Sequence, residues 1–132
     1  MQKKKDDKKN RDPRVIQLVE QIKKAYKKDK KFSEDVVNTM KELRQIFIEL
    51  EQPAIVKAIR LVYEYAETFK GFVIELWEED SETTSLEYFV GLLDNFHNKY
   101  NREEIRAINV FLKARLAGEE VEFVRPDDED EE

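Results

Sequence analysis

The chain has a single histidine, no cysteine and three isolated glycines, at 71, 91 and 118. That inventory already narrows the chemistry. Thiolate nucleophiles, disulfides and Cys-based zinc sites are excluded, and no Gly-rich loop is present to cradle a phosphate. His97 follows Asp94 by three residues, a spacing that puts both on one side of a helix, where the carboxylate could orient the imidazole or share a metal with it. A di-iron bundle would need a second acid-x-x-His unit, and no second histidine exists to make one. A zinc site built on one His would need oxygen ligands or water for the rest, an uncommon set. The reading favoured for His97 is a partly exposed residue on a helix edge, with no metal and no other cofactor.

Glu75, Glu78, Glu79, Asp80 and Glu82 crowd one stretch. Paired carboxylates do acid–base work only when burial or proximity separates their pKa values, and the alternating acids and glycine of a calcium loop are missing. A solvated helix end is the simpler account. Ser33, Ser81 and Ser85 lie on no recognisable nucleophile turn. An enzyme is not expected.

Two other residue groups point to binding. Residues 1–31 carry a net charge of +8 and the remainder −14, within a net charge of −6. Lys23, Lys24, Lys27, Lys28, Lys30 and Lys31 crowd the end of the first predicted helix, where they could neutralise phosphates. Asp6, Asp7, Asp12 and Asp29 interrupt the run, however, and the aromatics are not interleaved with the lysines as a stacking platform requires. Contact between the basic first part and the acidic last residues is the alternative use of that asymmetry. The second group is Tyr63, Tyr65, Phe72 and Trp77, residue types enriched at interfaces.

These groups are placed by helices. Of 132 residues 40% are apolar and 41% charged, with three Gly and three Pro, a composition of long helices with solvated faces. Residues 1–12 hold no apolar side chain after Met1 and are expected to be a disordered tail. Asp12 and Pro13 then start a helix over 13–31, as N-cap and first helical residue. Ser33 caps a second over 33–51, with Phe32 stapled onto Val37. Pro53 ends that helix and opens the third at once, making the two antiparallel neighbours.

The third predicted helix, over 53–79, is the one around which the rest is arranged. Ile55, Ile59, Val62, Ala66, Phe69, Val73 and Leu76 form one seam, and only a narrow polar stripe opposes it, so neighbours must cover most of its circumference. Gly71 falls on the polar stripe without a phase shift. The helix is expected to run through it, the competing arrangement being a stop at Gly71 and a short strand over 72–77 that could pair with Val121–Val124. Thr84 and Glu87 form a capping box for a fourth helix over 84–99, with Leu86, Phe89, Val90, Leu93, Phe96 and Tyr100 inward. Asn101 and Glu104 repeat the pattern for a fifth over 102–117, which Gly118 closes. Val121, Phe123 and Val124 would lie extended over the bundle, and 126–132 form an acidic disordered tail.

The fold expected is all-α: a compact five-helix bundle around a long central helix, one helical domain over 13–125 between charged tails. No leader or membrane-spanning stretch is legible, so a cytoplasmic protein is expected. Its leading function is non-catalytic docking of another protein, or of a second copy, on the third helix. Nucleic-acid association through the lysines is the alternative, and a metal- or acid-dependent enzyme at His97 the third.

Overall fold

A computed structural model describes residues 12–79 and 82–126. The expected tails over 1–11 and 127–132, and Asp80 and Ser81, lie outside the described residues. Among those described there are six helices and no strand. They are α1 (Pro13–Asp29), α2 (Glu34–Glu49), α3 (Pro53–Phe69), α4 (Glu75–Glu79), α5 (Ser85–Asp94) and α6 (Lys99–Leu116).

The starts of these helices follow local chemistry. Asp12 accepts from the Arg14 N–H at 2.8 Å and Ser33 from the Val36 N–H at 3.3 Å. Thr84 and Glu87 form the reciprocal capping box. Phe32 packs half-buried against the rings of Tyr26 and Phe72, at centroid distances of 5.7 and 6.5 Å.

Two boundaries depart from expectation. The last helix starts at Lys99, not at residue 102, because Asn98 is its cap and accepts from the Tyr100 and Asn101 N–H groups at 2.9 and 3.1 Å. Asn101 instead turns its amide back to the carbonyls of Asn95 and Leu92, at 3.0 and 3.4 Å. Those bonds take up carbonyls at the end of α5, which stops at Asp94, not at residue 99. Tyr100 is consequently on the first turn of α6 and 66% exposed, not inward as expected.

The larger correction is at the third helix, which does not continue through Gly71. It ends at Phe69, and Lys70 takes a left-handed conformation with φ 63°. The N–H groups of Lys70 and Gly71 then both turn back to the Ala66 carbonyl, satisfying a group that the helix end would orphan. Gly71 has φ 153°, and residues 71–74 run extended before the single turn of α4. Burial shows why. Phe72 and Ile74 are buried while Val73 between them is exposed, the period of two that an extended chain gives and a helix cannot. Phe72 then reaches the rings of Tyr65, Phe89, Trp77 and Phe32 at 5.9 to 6.5 Å. Ending the helix at Phe69 is what lets one side chain join rings from α3, α4, α5 and the residue before the Ser33 cap. The predicted five helices are six for this reason.

Left-handed backbone disfavours a residue with a Cβ by about 1–2 kcal/mol. Lys70→Gly is therefore expected to raise stability by a few tenths to about 1 kcal/mol, the gain being reduced by glycine's larger unfolded-state entropy. Gly71→Ala has room for the methyl group but not for the φ, and should cost about 1–3 kcal/mol. Urea denaturation of the two variants checks both signs. A stabilised Gly71→Ala would mean that this segment is helical after all.

The helices close a circuit. α2 packs on α1 and α3, α6 covers the other flank of α3, and α5 lies against α1 while also meeting α4 and α6. α3 is thus a link with two flanking helices and not an axis ringed by all the others. Its wide apolar arc is nonetheless buried, through Ile55, Ala58, Ile59, Leu61, Val62, Tyr65 and Ala66. Asn109 of α6 is buried and donates to the Ala54 carbonyl at 3.0 Å, tying α6 to the first turn of α3. Gly118, at φ 94°, reverses the chain after α6. Its own N–H and that of Glu119 return to the carbonyls of Arg115 and Ala114, each at 3.0 Å.

Candidate interaction surface

Residues 119–126 run back along α6 from that reversal. Arg115 donates to the Val121 carbonyl at 3.5 Å. Phe123 is buried against Trp77 and Phe111, with centroids at 5.2 and 5.8 Å. Further on, Arg125 approaches Glu104 at 3.8 Å. Glu104 is the polar anchor of this end of the molecule. Its carboxylate accepts from the Trp77 indole N–H at 2.8 Å and from the Tyr88 hydroxyl at 3.1 Å. The neighbouring Ser85 is wholly buried and joins α5 to the extended segment, accepting from the Ile74 N–H at 2.7 Å and donating to the Ile74 carbonyl at 3.3 Å. It is a structural strap, with no histidine among its hydrogen-bond partners.

On either side of residues 119–126 large apolar side chains face solvent. Val73 lines the depression on one side with Leu76 and Val121, and Phe69 lies under the Arg115 guanidinium, 5.5 Å from its ring centroid. Val110 and Val124 line the depression on the other side with Ala107, Ala114 and Pro126. Val73 is 54% and Val110 72% exposed, and Phe69 and Val124 fall near the same range. Glu75, Glu79 and Glu122 edge the first depression, and Glu103, Arg106, Glu119 and Glu122 the second.

The expected docking residues are placed differently. Tyr65, Phe72 and Trp77 are core residues, the last two only 1% exposed: Tyr65 belongs to the buried arc of α3 itself, and the end of the helix at Lys70 turns Phe72 and Trp77 inward. Tyr63 alone is half-buried, with the Lys41 ammonium 5.7 Å from its ring centroid. One member of the exposed apolar set, Val110, was nevertheless marked in the sequence. The outward stripe of α6 reads Lys99, Arg102, Arg106, Val110, Lys113, all exposed, and a valine in the middle of a cationic helix face is the residue out of place.

Lys24, Lys27, Lys28, Lys30 and Lys31 are exposed at the end of α1, while Lys23 is half-buried 4.0 Å from Glu20. Carboxylates share that end of the molecule. The Tyr26 hydroxyl has its pKa raised, first by burial and then by the charges of Glu78 and Glu87. His97 is exposed, its ring lying against Phe96 at a centroid distance of 4.1 Å, and Asp94 is half-buried. Among the described residues no group of three or more His, Asp or Glu side chains is placed to hold a metal ion, and no helix is long and apolar enough to cross a membrane.

What fold and surface define is an all-helical domain with an apolar face left open beside its last segment. Comparison with protein-family models, with curated protein sequences and with solved structures gave no match.

Proposed function

We propose that this chain is a non-catalytic interaction module, cytoplasmic, that binds another protein on the apolar face around residues 119–126. The observation that carries this reading is the placement of Phe69, Val73, Val110 and Val124, four of the six exposed large apolar residues among those described, on the two flanks of one segment. Scattered surface valines need no explanation, but apolar depressions with charged rims on both flanks of one segment have the anatomy of a docking site. Docking therefore moves from the third helix to the surface made by the end of α3, the extended segment, α6 and residues 119–126.

A photo-crosslinking residue at Val110, with one at exposed Lys41 as control, tests this in cells. A discrete adduct at Val110 and none at Lys41 is expected, and an adduct of twice the chain's mass would identify a second copy as the partner. Val73→Asp and Val110→Asp should each change stability by no more than about 0.5 kcal/mol, as exposed substitutions do, while abolishing the adduct formed from the other position. Adducts that form equally at Lys41, or that survive both substitutions, would sink the reading.

The exposed lysines of α1 support a second reading, association with a polyanion such as nucleic acid. It requires that Lys27, Lys28, Lys30 and Lys31, changed together to Gln, flatten a steep salt dependence of binding to a single-stranded oligonucleotide.

A further inference from the structure

Building on the docking face proposed above, we infer that its partner is a second copy of this chain, which receives it in a cation-rimmed groove between α2 and α3. The groove has Ile48, Pro53 and Val56 as its apolar lining and Arg44, Lys57 and Arg60 as its cations, against one carboxylate, Glu51. Ile48 is 43% exposed. Neither Arg44 nor Lys57 takes part in an ion pair among the described residues, and Arg60 has only the exposed Glu64, at 3.6 Å. The Nε–H of Arg44 is buried and has no hydrogen-bond partner among those residues. A buried donor left unpaired is costly, and a carboxylate docked on this guanidinium would supply the acceptor.

The open face has the opposite charge. Glu75, Glu79, Glu103, Glu119 and Glu122 edge its two depressions, against Arg106 and Arg115. None of the five glutamates takes part in an ion pair among the described residues. Arg115 is already engaged, with the rings of Phe69 and Phe111 and the Val121 carbonyl. Two copies meeting through the same face would set glutamates against glutamates, an arrangement that like charges penalise. Face against groove sets carboxylates against cations and apolar lining against apolar lining. Five of the six exposed large apolar residues among those described belong to these two surfaces. The surfaces share no lining residue, so one copy can engage a different neighbour through each. Such a head-to-tail contact does not close at two copies but continues into a ring or an open row. The net charge of −6 opposes it, and association therefore depends on high concentration.

Analytical ultracentrifugation of the full chain tests this. The mean mass should rise with concentration past that of two copies. Lys57→Glu with Arg60→Glu on the groove, and Val73→Asp with Val110→Asp on the face, should each leave a monomer. All four residues are exposed, and circular dichroism matching the wild type establishes that both variants fold. Their equimolar mixture should recover association and stop at two copies, since one variant retains only the face and the other only the groove. Lys41, the crosslinking control, lines neither surface. A wild-type chain that stays monomeric at every concentration would overturn the inference. So would a groove variant that associates as the wild type does, or a mixture that stays monomeric. A monomeric wild type whose Val110 still forms a discrete adduct of another mass leaves the docking face standing, whereas loss of that adduct as well removes both.

Discussion

Phe72→Ala is expected to lower the free energy of unfolding by about 3–5 kcal/mol, the range for removing a buried phenyl ring, read from the midpoint and slope of a urea transition. Phe72 is 1% exposed, and four rings, from α3, α4, α5 and the residue before the Ser33 cap, meet it within 6.5 Å. Truncation therefore opens a cavity whose walls belong to separate elements and cannot collapse together. The same variant separates two roles for this stretch. A side chain that docks a partner is dispensable to the free monomer, whereas a hub of the core is not. A loss below about 1 kcal/mol would mean that the aromatic cluster is looser than its geometry and would return Phe72 to the list of surface candidates.

Glu104→Ala should be the costliest polar substitution, at about 2–3 kcal/mol. Trp77 is almost fully buried and its indole N–H has Glu104 as its partner at 2.8 Å, so alanine would strand a donor beneath residues 119–126. Glu104→Gln tells which part of the interaction matters. It keeps a carbonyl acceptor for Trp77 and for the Tyr88 hydroxyl and gives up only the attraction to Arg125, a partly exposed pair worth less than about 1 kcal/mol. Amide exchange at residues 121–125 should quicken strongly in the alanine variant and slightly in the glutamine variant. Equal loss in both would assign the anchoring to the Arg125 ion pair instead.

Where a structural decision rests on neighbouring residues, the chain is readable from its letters. Asp12, Ser33 and Thr84 cap helices because their oxygens meet N–H groups two or three residues on, and Gly118 closes α6 as its position foretold. Asn98 and Asn101 show the margin of such readings. Both can cap, and the choice fell to Asn98 because Asn101 is drawn to the end of α5. The break at Lys70 was not readable in this way. Helical spacing runs through Gly71 undisturbed, and the force that ends it comes from Phe32 and Phe89, distant in the chain. Missing that break also displaced the candidate site. On a continuous helix Phe72 and Trp77 take up different sides and one could face solvent; with the break both turn inward, while Tyr65, which precedes it, is buried within α3 itself. The open face is then assembled from Phe69, Val73, Val110 and Val124, up to 55 positions apart, and no local pattern joins them.

The closed circuit of helices has a consequence for the chain as it leaves the ribosome. α1 needs α2, which follows directly, but also α5, which begins at Ser85. Until that helix emerges, the hairpin of α1 and α2 carries Val15, Val19 and Ile22 with only one of their two neighbouring helices in place. α3 waits longer still, for α6. Synthesis therefore passes through a long interval in which apolar seams have been made and their last covers have not. A nascent chain stalled between α3 and α5 therefore exposes those seams, and the circuit closes only after α6 has been made.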